Sequence, residues 1–115
     1  MAFVGDGVHT LFVRQSVLSS HDYTINQYNK YCSKYCSAKW QAKVLDRLMV
    51  TLNQQEQDIV RRARNYKTNH VAKNASIEEY KKATSFEALI GYLYLENNQE
   101  RLQEILQESL KEEEN

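Results

Sequence analysis

Thr84-Ser-Phe-Glu-Ala-Leu-Ile-Gly-Tyr-Leu-Tyr-Leu95 is the most apolar run of the chain. Its apolar side chains fall nearly all round a helix, the pattern of a buried central helix. Eight residues upstream, Ser76-Ile-Glu-Glu79 has the form of a capping box, so this helix opens at Ser76 and runs to about Asn97. Asn98 then caps a last helix, with Leu102, Ile105, Leu106 and Leu110 at core spacing. In the other direction, residues 66–75 are polar and aperiodic and read as a loop. Asn53-Gln-Gln-Glu56 is a second capping box, opening a helix to about Asn65. Val44, Leu45, Leu48 and Leu52, joined by Trp40, give an apolar face to a helix from Ser37 or Ala38 to Leu52. A further helix covers about Thr24 to Cys36. The first covers Ala2 to about Ser19, with Val4, Val8, Leu11 and Leu18 on one stripe and Phe3 and Phe12 beside it. No segment alternates as a strand does. The expectation is an all-α domain of about six helices over residues 1–111, followed by a frayed acidic tail at 112–115.

Composition agrees. The 115 residues make one domain, with no proline and three glycines, which disfavours a turn-rich β fold. No window of eighteen apolar residues offers a membrane span. The N-terminus lacks the basic-then-apolar pattern of a secretory signal. Two cysteines, Cys32 and Cys36, make no disulfide framework, and a reducing cytoplasm is the natural setting. The net charge of zero is a sum of unlike parts. Residues 1–95 carry 13 basic and 8 acidic side chains, and residues 96–115 carry 2 and 7.

Two carboxylates stand out because their neighbours are apolar. Asp6 lies in Phe3-Val-Gly-Asp-Gly-Val8, and Glu87 in the central helix. A buried carboxylate needs a hydrogen-bond set, a partner or a metal. Asp6 reads equally as an N-cap, and Glu87 equally as half of an ion pair with a basic residue of another helix. Taken together they suit a hard divalent cation such as magnesium (Mg2+), which takes one or two carboxylates, keeps its waters and binds phosphate oxygens. Two glycines around one aspartate suggest that something approaches closely there. His9, one turn beyond Asp6, is spaced to bond to it and is a candidate general base. Cys32 and Cys36, even with His21, lack a fourth ligand for zinc.

The basic residues form two groups. Lys30, Lys34, Lys39, Lys43 and Arg47 step by four or five, and line one stripe if the second and third helices are nearly continuous. Arg62, Arg64, Asn65 and Lys67, followed by Lys73 and Asn74, are denser than a solvated face requires. They read as a patch contacting phosphates.

Five motifs in order carry a resemblance: Phe3-Val-Gly-Asp-Gly-Val8; Ser37-Ala-Lys-Trp-Gln-Ala42 with Val44-Leu45; Arg62-Ala-Arg-Asn65; Lys73-Asn74; and Thr84 to Leu95. Over about Ala2 to Leu110 the chain resembles the catalytic domain of ribonuclease III. It is more closely similar to the compact bacterial Mini-ribonuclease III enzymes, which lack a double-stranded-RNA-binding domain. The resemblance implies an all-α endonuclease fold, a homodimer, and Mg2+-dependent cleavage of double-stranded RNA, in maturing the ends of the 23S ribosomal RNA precursor. Asp6 matches the aspartate of the family's Gly-Asp motif, and Glu87 the glutamate of its Phe-Glu-Ala motif. Both would be catalytic metal ligands. Phe3, with Val4 beside it, matches the aromatic that lies across the dimer interface of the larger enzymes. Those larger enzymes use two further acids where this chain has Ala2 and Thr84, a departure it shares with the compact subfamily. Compact members also begin about one helix before the position of Met1.

The reaction so implied is phosphodiester hydrolysis to 5′-phosphate and 3′-hydroxyl ends, with recognition of A-form RNA by shape and room for assistance by a ribosomal protein. A non-catalytic double-stranded-RNA-binding module on the same fold, and a helical interaction protein, are the rival classes.

Overall fold

The structure, a computed structural model, describes residues 1–65 and 75–112. Among the described residues six α-helices follow one another: α1 (Ala2–Ser20), α2 (Ile25–Tyr35), α3 (Ala38–Leu48), α4 (Gln54–Arg64), α5 (Ile77–Leu95) and α6 (Gln99–Glu108). A 3₁₀ turn at Met49–Thr51 ends α3 earlier than the apolar spacing suggests, although Leu52 still reaches the core. No strand occurs among the described residues. The expected loop at 66–75 lies, apart from Ala75, outside them. None of the described helices is long and apolar enough to cross a membrane.

Local chemistry sets the boundaries. Thr24, Asn53 and Ser76 each accept a hydrogen bond from the backbone three residues on, and the side chains of Gln27, Glu56 and Glu79 return it. Ser37 caps α3 by accepting from the Trp40 backbone N–H at 3.1 Å. That cap separates α2 from α3. At the end of α5, Asn97 takes φ 57°, and the Asn98 N–H reaches back to the Leu93 carbonyl at 3.0 Å. This is a Schellman-type stop with asparagine where glycine is usual.

α5 is the axis of the molecule, and α1, α3, α4 and α6 pack around it. Phe86, Leu89, Ile90 and Leu93 are fully buried against Val44, Leu45, Leu48, Val60, Ile105 and Leu106. Glu56, besides closing its capping box, is buried and receives two hydrogen bonds from Arg101, at 2.9 and 3.0 Å. That pair ties α4 to α6.

The buried face of α1 is not the expected stripe. Gly5, His9, Val13 and Val17 face inward, Val8 and Phe12 are partly buried, and Leu11 and Leu18 are exposed. Counting apolar residues misplaces the face because its tightest contact is made by a glycine. Glu112, where the frayed tail is expected to begin, is still held to the domain. The Glu112 carboxylate accepts from Lys34 Nζ and Tyr35 Oη, each at 2.7 Å. Residues 113–115 lie outside the described set.

Candidate active site

α1 and α5 meet at two glycines. A Cβ built on Gly5 would stand 1.7 Å from the Glu87 carbonyl oxygen, and one on Gly91 2.0 Å from the Met1 carbonyl oxygen. The two backbones therefore touch where Asp6 and Glu87 leave their helices. Gly7, the other glycine beside Asp6, has nothing within 4 Å of where its Cβ would be, so only Gly5 serves the close approach.

Asp6 and Glu87 line one open cleft of about 390 Å3, with Gln41, Cys36, Tyr80 and Thr84 among its other walls. Asp6 is exposed in the second turn of α1, whose N-cap is Met1, so the capping reading of Asp6 falls. Glu87 is half-buried, and no ion pair is made to either carboxylate among the described residues. No described basic side chain supports the ion-pair reading of Glu87. Burial, then the hydrogen bond that the protonated Glu87 carboxyl donates to Asp6 and the like charge of Asp6, push Glu87 up to about 9 against a smaller opposing effect of Gln41. At neutral pH the metal-free pair thus holds a proton that a cation would displace.

The other candidates are distributed as follows. Lys39 is exposed in the first turn of α3. Glu79 lies well below the usual carboxylate range, chiefly through the Ser76 backbone N–H and further through the charges of Lys39 and Lys43. The break at Ser37 divides the basic stripe, and its members have different occupations. Lys34 is paired with Glu112, and Arg47 donates to the Lys111 and Glu108 carbonyls at 3.0 and 3.2 Å. At the end of α4, Arg62 is exposed, Asn65 is the C-cap, and Arg64 is ion-paired with Glu78. Lys67, Lys73 and Asn74 lie outside the described residues.

His9 is not placed to act as a base. It is fully buried, its ring edge meets Phe86, and both ring nitrogens are hydrogen-bonded. Burial pushes it down to about 4. Cys32 and Cys36 are free, and burial holds the Cys36 thiol up at about 11, a protonated group rather than a thiolate ligand. Among the described residues no three or more His, Cys, Asp or Glu side chains cluster to cage a metal. Two carboxylates at a solvent-open cleft are instead the donor set of a small hard cation that keeps most of its waters.

Sequence reasoning passed over Gln41. It is buried in the cleft wall between Trp40 and Ala42. The available signal was an amide on the apolar face of the third helix.

An all-α domain of this topology, with one carboxylate from α1 and one from α5 in a shared cleft, matches a known class. The family model for the ribonuclease III domain covers residues 1–98, and the chain belongs to the ribonuclease III family. It is an endoribonuclease of that family, a phosphodiester hydrolase. Within the family it is similar to Mini-ribonuclease 3 of Thermoanaerobacter sp. (42% identical over 96% of this chain and 78% of the relative). Mini-ribonuclease 3 of Brevibacillus brevis is 46% identical over 95% and 81%. The crystal structure of a Fusobacterium nucleatum protein superposes with a TM-score of 0.84 at 33% identity, covering 92% of this chain and 84% of that one.

Proposed function

We propose that this endoribonuclease cuts double-stranded RNA with Mg2+ held by Asp6 and Glu87, as a homodimer, in maturing the ends of the 23S ribosomal RNA precursor. The observation that carries the reading is the meeting of two carboxylates, unpaired by any described basic side chain, in one open cleft. A bound magnesium ion supplies charge neutralisation at the scissile phosphate and eases deprotonation of the attacking water. The chain's own part is positional. The Gly5 contact sets the spacing of the two carboxylates, and Lys39 and Arg62 offer exposed cations for phosphate contact. With Asn65 and the polar segment bearing Lys67, Lys73 and Asn74, they give a grip that follows duplex shape rather than sequence.

The dimer reading rests on Phe3, which is 91% exposed on α1. Beside it lies an apolar cleft of about 460 Å3 lined by Ala2, Ile59, Ala63, Thr84 and Ala88. A two-fold axis near Phe3 and the half-buried Val4 would seat each copy's ring in the other's cleft and set one site towards each strand. The free thiols and an RNA substrate are in keeping with the cytoplasm. The role in 23S maturation rests on the similarity to Mini-ribonuclease 3 relatives.

The test is cleavage of a duplex from the 23S precursor stem, with and without Mg2+, and with product ends mapped. Metal-dependent cuts on both strands leaving 5′-phosphates are expected. Duplex binding without cutting at any Mg2+ concentration would overturn the reading.

A further inference from the structure

Three fully buried polar side chains from three separate elements form a chain that ends at the candidate active site. Ser109, the C-cap of α6, donates its hydroxyl proton to the Leu106 carbonyl at 2.5 Å, so its Oγ is left as an acceptor. His9 Nε2 lies 3.1 Å from that oxygen and must carry the ring proton. His9 Nδ1 is then an acceptor, and Gln41 Nε2 donates to it at 3.0 Å. Ser109 is held in turn by Trp40, whose indole N–H donates to the Ser109 carbonyl at 2.7 Å. The exposures of Ser109, His9 and Gln41 are 0%, 0% and 3%, so water does not compete for these bonds.

This order of donors fixes which way the Gln41 amide faces. One Nε2 proton is taken by His9, and Gln41 shares a cleft wall with Glu87. We propose that Gln41 is a positioning residue for the Asp6–Glu87 pair, locked as a hydrogen-bond donor towards Glu87 by His9 and, behind it, Ser109. A cation binds through carboxylate oxygens, and an amide N–H fixed beside them holds them in one orientation. An amide free to turn would offer its oxygen half the time and repel the Glu87 oxygens. Partners behind metal ligands commonly set affinity in this way. The inference rests on the reading of Asp6 and Glu87 as the metal-binding pair.

Mn2+ binding to the purified protein, followed by electron paramagnetic resonance without RNA, tests it. Gln41→Met is expected to weaken Mn2+ binding about 10-fold. The Mg2+ concentration for half-maximal cleavage should rise by the same factor, with the rate at saturating Mg2+ within about threefold of the parent. Ser109→Ala, at the far end of the chain of bonds, should move both readouts in the same direction by a smaller factor, and carries the test if Gln41→Met does not fold. Nitrogen-15 spectra should show His9 protonated at Nε2. A His9 protonated at Nδ1, or folded Gln41→Met or Ser109→Ala variants that bind Mn2+ like the parent while Glu87→Gln does not, would overturn the inference alone. Binding undiminished in Glu87→Gln would overturn the metal reading and the inference with it.

Discussion

Gly5 and Gly91 face each other across the α1–α5 contact, and neither has room for a methyl group. The added Cβ atoms would stand 1.7 Å from the Glu87 carbonyl oxygen and 2.0 Å from the Met1 carbonyl oxygen. Both obstacles are backbone, so relief requires the helices to separate. Gly5→Ala is therefore expected to destabilise the protein by at least about 1–3 kcal/mol. It should also cut activity by about 100-fold, because the step that admits the methyl group moves Asp6 away from Glu87. Gly7→Ala is the control. It adds its methyl to open space in a helix interior and should stabilise by about 0.5–1 kcal/mol. Chemical denaturation of the three proteins, with cleavage assayed alongside, checks both signs.

Removing either carboxylate should separate chemistry from folding. Asp6→Ala is expected to lower cleavage by about 10³-fold or more, the loss of several kcal/mol of charge stabilisation, with helical circular dichroism unchanged. Asp6 is exposed and makes no cap, so no fold-level role depends on it. Glu87→Gln should be equally inactive. In the absence of metal at neutral pH it should be no less stable than the parent, because burial and Asp6 already keep Glu87 protonated and the amide is likewise neutral and able to donate. A variant of either kind with most of its activity would exclude that side chain from the site.

The fold was legible where local chemistry alone sets it. The boxes Asn53–Glu56 and Ser76–Glu79 open helices where their spacing says, and the run from Phe86 to Leu93 is the core. It was not legible where a contact spans the chain. Glu56 and Arg101 are 45 residues apart, and His9 and Ser109 are 100 apart, so no local window joins them. Gly5 carries no apolar signal although it makes the closest approach among the three glycines, which is why the spacing of apolar residues points to Leu11 and Leu18 for the face that Gly5 and Val13 hold. The site was half legible. Asp6 and Glu87 were conspicuous as acids among apolar neighbours, but only the packing of α1 on α5 tells a shared cleft from a cap and an ion pair. Gln41 was silent because an isolated amide signals nothing until its partners are known.

Phe3, at 91%, is the most exposed of the large apolar side chains among the described residues, and it lines an apolar cleft. A homodimer is expected by sedimentation at micromolar concentration. Phe3→Asp should shift it towards monomer, since burying an unpaired charge at the seam costs about 3–5 kcal/mol. Double-strand cutting should fall with dimer content while the helical signal stays the same. A Phe3→Asp protein that remains dimeric would move the interface elsewhere.

Acid stability should carry the signature of His9. Gln41 of α3, Ser109 at the end of α6 and the Phe86 ring of α5 face it, with the charge of Asp6 one turn away on α1. Burial holds the imidazole down at about 4, and Asp6 pulls the other way more weakly. The unfolded chain accepts that proton at about 6.5. Between the two values the unfolded state binds a proton that the native state refuses, so this contribution falls as the pH drops through the window. Its full size is roughly 3 kcal/mol, reached below about pH 4, with no effect above pH 7. Glu87 works in the opposite sense in the metal-free protein. Its carboxyl, held up at about 9, gives stability that is present below the unfolded value near 4.5 and is lost as the pH rises through 9. The parent's own curve therefore mixes the two, and the difference from a His9→Phe variant isolates the histidine. Above pH 7 that difference should be constant, set by the two lost hydrogen bonds. From pH 6.5 to 4 it should shift by roughly 3 kcal/mol in the variant's favour. Urea midpoints measured across this range check it, and a difference that stays flat to pH 4 would mean that His9 is not held neutral by its surroundings.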